Sequence, residues 1–77
     1  MGTMWRDTPI NNFMIHDIAL SESGYNYYLY IHAVNGEAII MREKIDNTEY
    51  RYANAGIRRG KWATRNELTY TTYDKLA

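Results

Sequence analysis

Cysteine is absent from the 77 residues and histidine occurs only twice. That excludes disulfide frameworks and the common thiolate zinc patterns. Net charge is missing as well: nine basic residues balance nine acidic ones, so no global field draws the chain toward nucleic acid or an anionic membrane, and any such binding must be local. No stretch approaches the roughly 18 apolar residues of a membrane span. The N-terminus lacks the basic region, apolar run and small-residue cleavage site of a secretory signal. Repeats, low-complexity tracts and linkers are likewise lacking. The expectation is a soluble, unexported chain suited to a reducing cytoplasm. A domain this short buries only about 60% of its unfolded surface. With disulfides and metals set aside, oligomerisation or docking on a larger assembly is the support that remains.

What is present favours strands. Tyr25–Val34 runs into Asn35-Gly36, Glu37–Ile45 runs into Asp46-Asn47, and Thr48–Asn54 follows. Asn-Gly accepts the positive φ values of a two-residue type I′ turn, and the flanking β-branched and aromatic residues suit pleated ladders. The spacing predicts a three-stranded antiparallel meander inside one domain over residues 1–77. Residues 1–12, with Pro9 and Asn11-Asn12, read as an irregular arm; Met1-Gly2-Thr3 ahead of Met4 reads as a vector-derived start. Phe13–Leu20 suits two states. Thr8-Pro9 fits a helix start with Ile10, Phe13, Met14 and Ile18 on one face, whereas Phe13-Met14-Ile15 fits a strand. The strand is preferred because the strands that follow need a neighbour. Ser21–Gly24 reads as a turn. Ala55-Gly56 and Gly60 punctuate a loop bearing Arg58, Arg59 and Lys61, Trp62–Asn66 suits a helical turn, Leu68–Tyr73 a strand, and Asp74–Ala77 a fraying tail.

Two-residue loops at 35–36 and 46–47 pair Val34 with Glu37 and Ile45 with Thr48. One sheet face then carries Tyr28, Tyr30, His32, Val34, Ile39, Met41, Ile45, Tyr50 and Tyr52, interrupted by Glu37 and Glu43. The other carries Tyr27, Leu29, Ile31, Ala33, Ala38 and Ile40 before turning charged at Arg42, Lys44, Glu49 and Arg51, with Lys44 opposite Glu49. Neither is the polar face of a sheet half exposed to water. Both therefore need cover. Segments 13–20 and 68–73 supply it on one side, giving a small antiparallel barrel or sandwich of four to five strands. A partner supplies it on the other, where tyrosine offers a large rigid area with a polar tip.

Catalysis has little to stand on. The chain has no nucleophile elbow, no Gly-rich phosphate loop and no carboxylate pair in a segment destined to be enclosed. No catalytic, cofactor-binding or metal-ligating residue is assigned. His32, mid-strand beside tyrosines, suits a local hydrogen bond. His16-Asp17 offers two ligands without a third or fourth at a characteristic spacing. A tyrosine-rich sheet rimmed by Arg42 and Arg51, with Arg58, Arg59 and Lys61 in a loop near Trp62, has the parts of a single-strand nucleic-acid platform. It lacks the paired aromatic motif of an RNA-recognition sheet.

One pattern is more specific. Tyr30-Ile-His-Ala33, Ala38-Ile-Ile-Met-Arg-Glu-Lys44, Glu49-Tyr-Arg-Tyr-Ala53 with Gly56, and Trp62-Ala-Thr-Arg65-Asn-Glu-Leu68-Thr-Tyr70 together resemble small virion-associated proteins of tailed bacteriophages, over about residues 28–73. His32 stands where those proteins often have glycine, and the loop before Trp62 is shorter and more basic. The resemblance implies a non-enzymatic virion component, assembled in the host cytoplasm, that pairs with itself as a homo-oligomer or docks on a larger virion protein. Interaction candidates are Tyr28, Tyr30, Tyr50, Tyr52, Trp62 and Arg65. Trp62, Arg65, Leu68 and Tyr70 suit a clasp that closes the end of the sheet; Trp62 and Arg65 are also the residue types that dominate binding hot spots. The alternatives are a single-strand nucleic-acid-binding module using Arg42, Arg51, Arg58, Arg59 and Lys61, and a phage-made inhibitor of a host protein.

Overall fold

Alternating apolar and aromatic residues form four antiparallel strands in the computed structural model, which describes residues 12–46 and 48–76. They are β1 (Phe13–Glu22), β2 (Tyr25–His32), β3 (Glu37–Lys44) and β4 (Tyr50–Ile57), hydrogen-bonded in the order β1-β2-β3-β4. The expected all-β fold of four strands on a meander holds, with residues 13–20 as strand. Among the described residues after Asn12, which is itself 3-10, helix is confined to two 3-10 segments at Trp62–Glu67 and Tyr73–Lys75, and no helix is long and apolar enough to cross a membrane. The expectations for residues 1–11, Asn47 and Ala77 lie outside the described residues.

The β3–β4 register is the expected one from Ile39 to Glu43, with Glu43 opposite Tyr50 and Met41 opposite Tyr52, and shifts by one residue beyond it, where Ala38 stands opposite Gly56. The Lys44 N–H bonds the Glu49 carbonyl at 2.9 Å, but the Glu49 carboxylate pairs with Arg51 at 3.2 Å. The β2–β3 register differs from expectation by two residues, Ile31 rather than Ala33 standing opposite Ala38. A slip of two keeps every side chain on its face, so the two predicted faces survive within the strands. Ala33 to Gly36 becomes a four-residue connection instead of a two-residue turn, and Val34 is left 86% exposed at its tip. His32 is the cause. Its Nδ1 accepts the N–H groups of Val34 and Asn35 at 3.1 and 3.4 Å, the Gly36 N–H closes on the His32 carbonyl at 3.1 Å, and Asn35 Oδ1 accepts the Glu37 N–H at 2.8 Å. Side-chain acceptors satisfy this loop, and within it only Gly36 takes a positive φ, +77°.

The layer over the sheet is the chain's own C-terminal part, in place of a second sheet or a barrel closure. Residues 68–73 do not make the expected strand. They cross the outer edge of β4 at Thr71, whose N–H and carbonyl exchange bonds with Tyr52 at 2.9 and 2.8 Å. Before the crossing, Trp62, Leu68 and Tyr70 pack on Tyr27, Leu29, Ile31, Ala38, Ile40 and Ala55. After it, Tyr73 and Leu76 pack on Ile39, Met41 and Tyr52 on the opposite face. A strand lying in the plane of the sheet would have left both faces bare, so burial overrides the β-propensity of Leu68–Tyr73. The expected fraying at 74–76 is replaced by a 3-10 turn whose Leu76 is packed into this second cluster.

Candidate interaction surface

Trp62 is 6% exposed and anchors a ladder of rings and guanidinium groups. Arg65 lies 4.4 Å over the Trp62 ring and 6.0 Å from Tyr27. Its Nε and Nη2 grip the Glu22 carboxylate at 3.0 and 2.7 Å while Nη1 donates to the Trp62 carbonyl at 2.9 Å. The Tyr70 hydroxyl donates to the Arg65 carbonyl at 2.7 Å, and Arg42 is held between the rings of Tyr25 and Tyr70 at 4.4 and 4.6 Å. Each such stack contributes about 0.5–2 kcal/mol, and together they bind the C-terminal segment to the sheet. Trp62, Arg65 and Arg42 are thus engaged within the chain. Trp62 and Arg65 occupy the clasp position.

The remaining basic candidates are scattered. Arg51 is bonded to Glu49 and to the Tyr50 carbonyl. Arg59 donates to Asp17 at 2.8 Å. Arg42 and Arg51 face each other at one end of β3 and β4, whereas Arg58, Arg59 and Lys61 follow the other end of β4. Six residue steps of strand, about 20 Å, separate Arg51 from Ile57, and Trp62 and Tyr70 pack on the face between them.

On the other face the tyrosines divide into covered and uncovered. Tyr52 is 5% exposed, capped edge-on by Tyr73 at 5.1 Å, and burial pushes its hydroxyl up to about 12. Tyr28 and Tyr30 are half-buried and Tyr50 is exposed. The polar tips of Tyr28 and Tyr50 converge on Glu43, donating at 2.8 and 3.1 Å, with Asn26 adding a third donor at 3.3 Å. Glu43, which in the sequence interrupts the apolar face, is the acceptor that orients it. The bond to Glu43 pushes the Tyr28 hydroxyl up to about 12.

Beside these tyrosines lie Ile15 and Ile18, 51% and 47% exposed. Ile15 stands opposite Tyr30 and Ile18 opposite Tyr28. A spacing of three would put the two isoleucines on opposite faces of a regular strand; the bulge between Ile15 and Asp17 restores Ile18 to the face of Ile15. Tyr73 and Leu76 reach the β3–β4 side of this face, so the exposed Ile15 and Ile18 with the half-buried Tyr28 and Tyr30 form a partly uncovered apolar strip on the β1–β2 side. Two register shifts interrupt β1, and such irregularities blunt an edge against strand addition.

The chain matches no family model, no curated protein and no solved structure. Its surface is therefore read from its own geometry. Alternation in the sequence places Tyr28, Tyr30 and Tyr50 on this face and does not place Ile15 and Ile18 there. The readable signal was an apolar residue one position out of phase, which is how a bulge appears in an alternating strand.

The Glu43 hub predicts a pH dependence. Hydrogen bonds from Tyr28, then Asn26 and Tyr50, hold its carboxyl below the ordinary 4.5. A carboxyl with a depressed folded pKa stabilises the fold above its unfolded pKa, and that contribution is lost as pH falls through the folded value. Thermal melts of the parent and Glu43→Gln should differ at neutral pH, and the difference should shrink progressively as pH falls below the ordinary 4.5. A difference that persists unchanged into acid would show that the hub does not depend on the carboxylate.

Proposed function

We propose that this chain is a non-enzymatic structural protein of a virion that associates with a second copy of itself, the two sheets packing face to face through Ile15, Ile18, Tyr28 and Tyr30. The observation that carries the reading is the partly uncovered strip on a domain too small to spare apolar area. Aromatic and aliphatic side chains ringed by a polar rim, here Glu43 with Asn26 and Tyr50, are the composition of a homodimer interface. The virion assignment rests on the resemblance of residues 28–73 to the small tailed-phage proteins. A larger virion protein docking on the same strip is the variant of this reading in which the second sheet comes from another chain.

The single-strand nucleic-acid reading is less favoured. Its cations are divided between two ends of β4, and Arg42 and Arg51 are already stacked or paired. Salt separates the two. A contact built on apolar burial keeps its size in solution from low to high salt, whereas phosphate contacts weaken steeply through counterion release. The expected result is an oligomer of salt-independent size by sedimentation. A strictly monomeric protein that binds a fluorescent single-stranded oligonucleotide at micromolar concentration, with affinity falling in salt, would reverse the order.

A further inference from the structure

Both histidines and two of the arginines meet away from the strip. A cleft of ≈ 370 Å³ is lined by His16, His32, Arg58 and Arg59 together with Met14 and Ile31. Its walls come from the bulge in β1, the end of β2 and the loop after β4, so residues distant in sequence converge there. Asp17 is the carboxylate paired with an arginine of the cleft, and both its oxygens are engaged, Oδ1 by the Ile18 N–H and Oδ2 by Arg59, each at 2.8 Å; Glu37, opposite Ile57, also lies beside Arg58 in the register but makes no ion pair with it. The bonds to Asp17 hold its carboxyl below the usual carboxylate range, so an ionised anchor orients Arg59. Arg58 has no carboxylate partner among the described residues. Its backbone is held at φ +54°, left-handed for a residue with a side chain, by an N–H bond of 2.6 Å to the Gly36 carbonyl. Strain of this kind gathers at functional sites. His32 Nδ1 accepts two backbone N–H groups, so the ring proton sits on Nε2, a donor.

A second cleft of ≈ 340 Å³ shows the contrast. It is lined by Arg65 and Glu22 among others, and there the single arginine is paired with a carboxylate at 2.7 Å, as Arg59 is with Asp17, whereas the first cleft has Arg58 in addition.

We propose that the His16–His32–Arg58–Arg59 cleft binds one phosphate group as a dianion, free or as the monoester end of a small molecule. Guanidinium forks match tetrahedral oxyanions in geometry and charge, and the volume lies at the small end of ligand sites. The site takes a single group rather than a polyanion, because Arg42, Arg51 and Arg65, the other arginines among the described residues, lie at the far end of β4 or are already stacked or paired.

The test is an NMR titration of the intact protein with inorganic phosphate, and separately with phenyl phosphate, against sodium chloride at equal ionic strength. Saturable shifts are expected at residues 14–17, 31–34 and 57–60. Arg58→Gly removes the guanidinium while suiting the left-handed backbone; it should weaken binding by about 10-fold or more without lowering the melting temperature. Arg51→Gln, at the other end of β4, should leave binding unchanged. Saturation by both ligands indicates a site for the phosphate group itself, and by phenyl phosphate alone a site for an ester; either supports the proposal. Shifts that do not saturate, equal shifts in chloride, or undiminished binding by Arg58→Gly would overturn it. Tighter binding of an oligonucleotide lacking terminal phosphate would overturn it in favour of a phosphodiester backbone.

Discussion

Replacing Trp62 with alanine should destabilise the domain by about 3–5 kcal/mol, the cost of emptying a buried aromatic site. Stability for a chain of this size is roughly 4–12 kcal/mol, so the variant stands near the limit of folding. The expectation has two parts. Trp62 is 6% exposed within the cluster of Leu29, Ile40 and Ala55, and it is the surface against which Arg65 stacks. Its loss therefore also loosens the Arg65–Glu22 pair that ties the C-terminal segment to the turn between β1 and β2. Urea unfolding of the parent and Trp62→Ala, with Trp62→Phe to retain a ring, measures it. Near-parent stability in the alanine variant together with lost association would instead make Trp62 a contact for a partner.

Gly60→Ala should have the second-largest effect, a loss of more than about 2 kcal/mol. The backbone there has φ +37°, and a Cβ would collide with the Ala55 carbonyl oxygen. That oxygen accepts the Lys61 N–H at 2.9 Å, a bond that folds the loop back on the end of β4 and delivers Trp62 to the core. A backbone carbonyl has little freedom to move aside, so the loop must shift. Gly24→Ala provides the comparison: φ is +89° but a Cβ there would meet nothing within 4 Å, so only the left-handed strain of about 1 kcal/mol applies. Equal effects of the two substitutions in chemical denaturation would remove the clash from the account.

Much of the fold was legible because side-chain alternation reports faces directly. Tyr27, Leu29, Ile31, Ala38 and Ile40 fall on one side in the sequence and in the structure, and the Asp46 turn set the β3–β4 register. The Asn35-Gly36 turn misled, since the neighbouring His32 supplies an acceptor that Asn-Gly statistics do not include. Leu68–Tyr73 misled for another reason. Its composition suits a strand, yet the sheet needed cover on both faces, and only a segment crossing the edge at Thr71 could place Tyr70 on one side and Tyr73 on the other. At the candidate surface the tyrosines were visible, but the orientation of Tyr28 and Tyr50 by Glu43 and the companionship of Ile15 and Ile18 depended on a long-range contact and a bulge, neither of which a local pattern encodes.

Sedimentation equilibrium of the parent, Ile18→Lys and Val34→Lys tests the central claim most directly. Val34 is the more exposed of the two, 86% against 47%, but it sits at the tip of a loop, away from the strip. If the strip joins two copies, the parent and Val34→Lys should both show twice the chain mass, and Ile18→Lys, which places an unpaired charge in the contact, should show the mass of a single chain. A monomeric parent, or equal association by Ile18→Lys and the parent, would contradict the account.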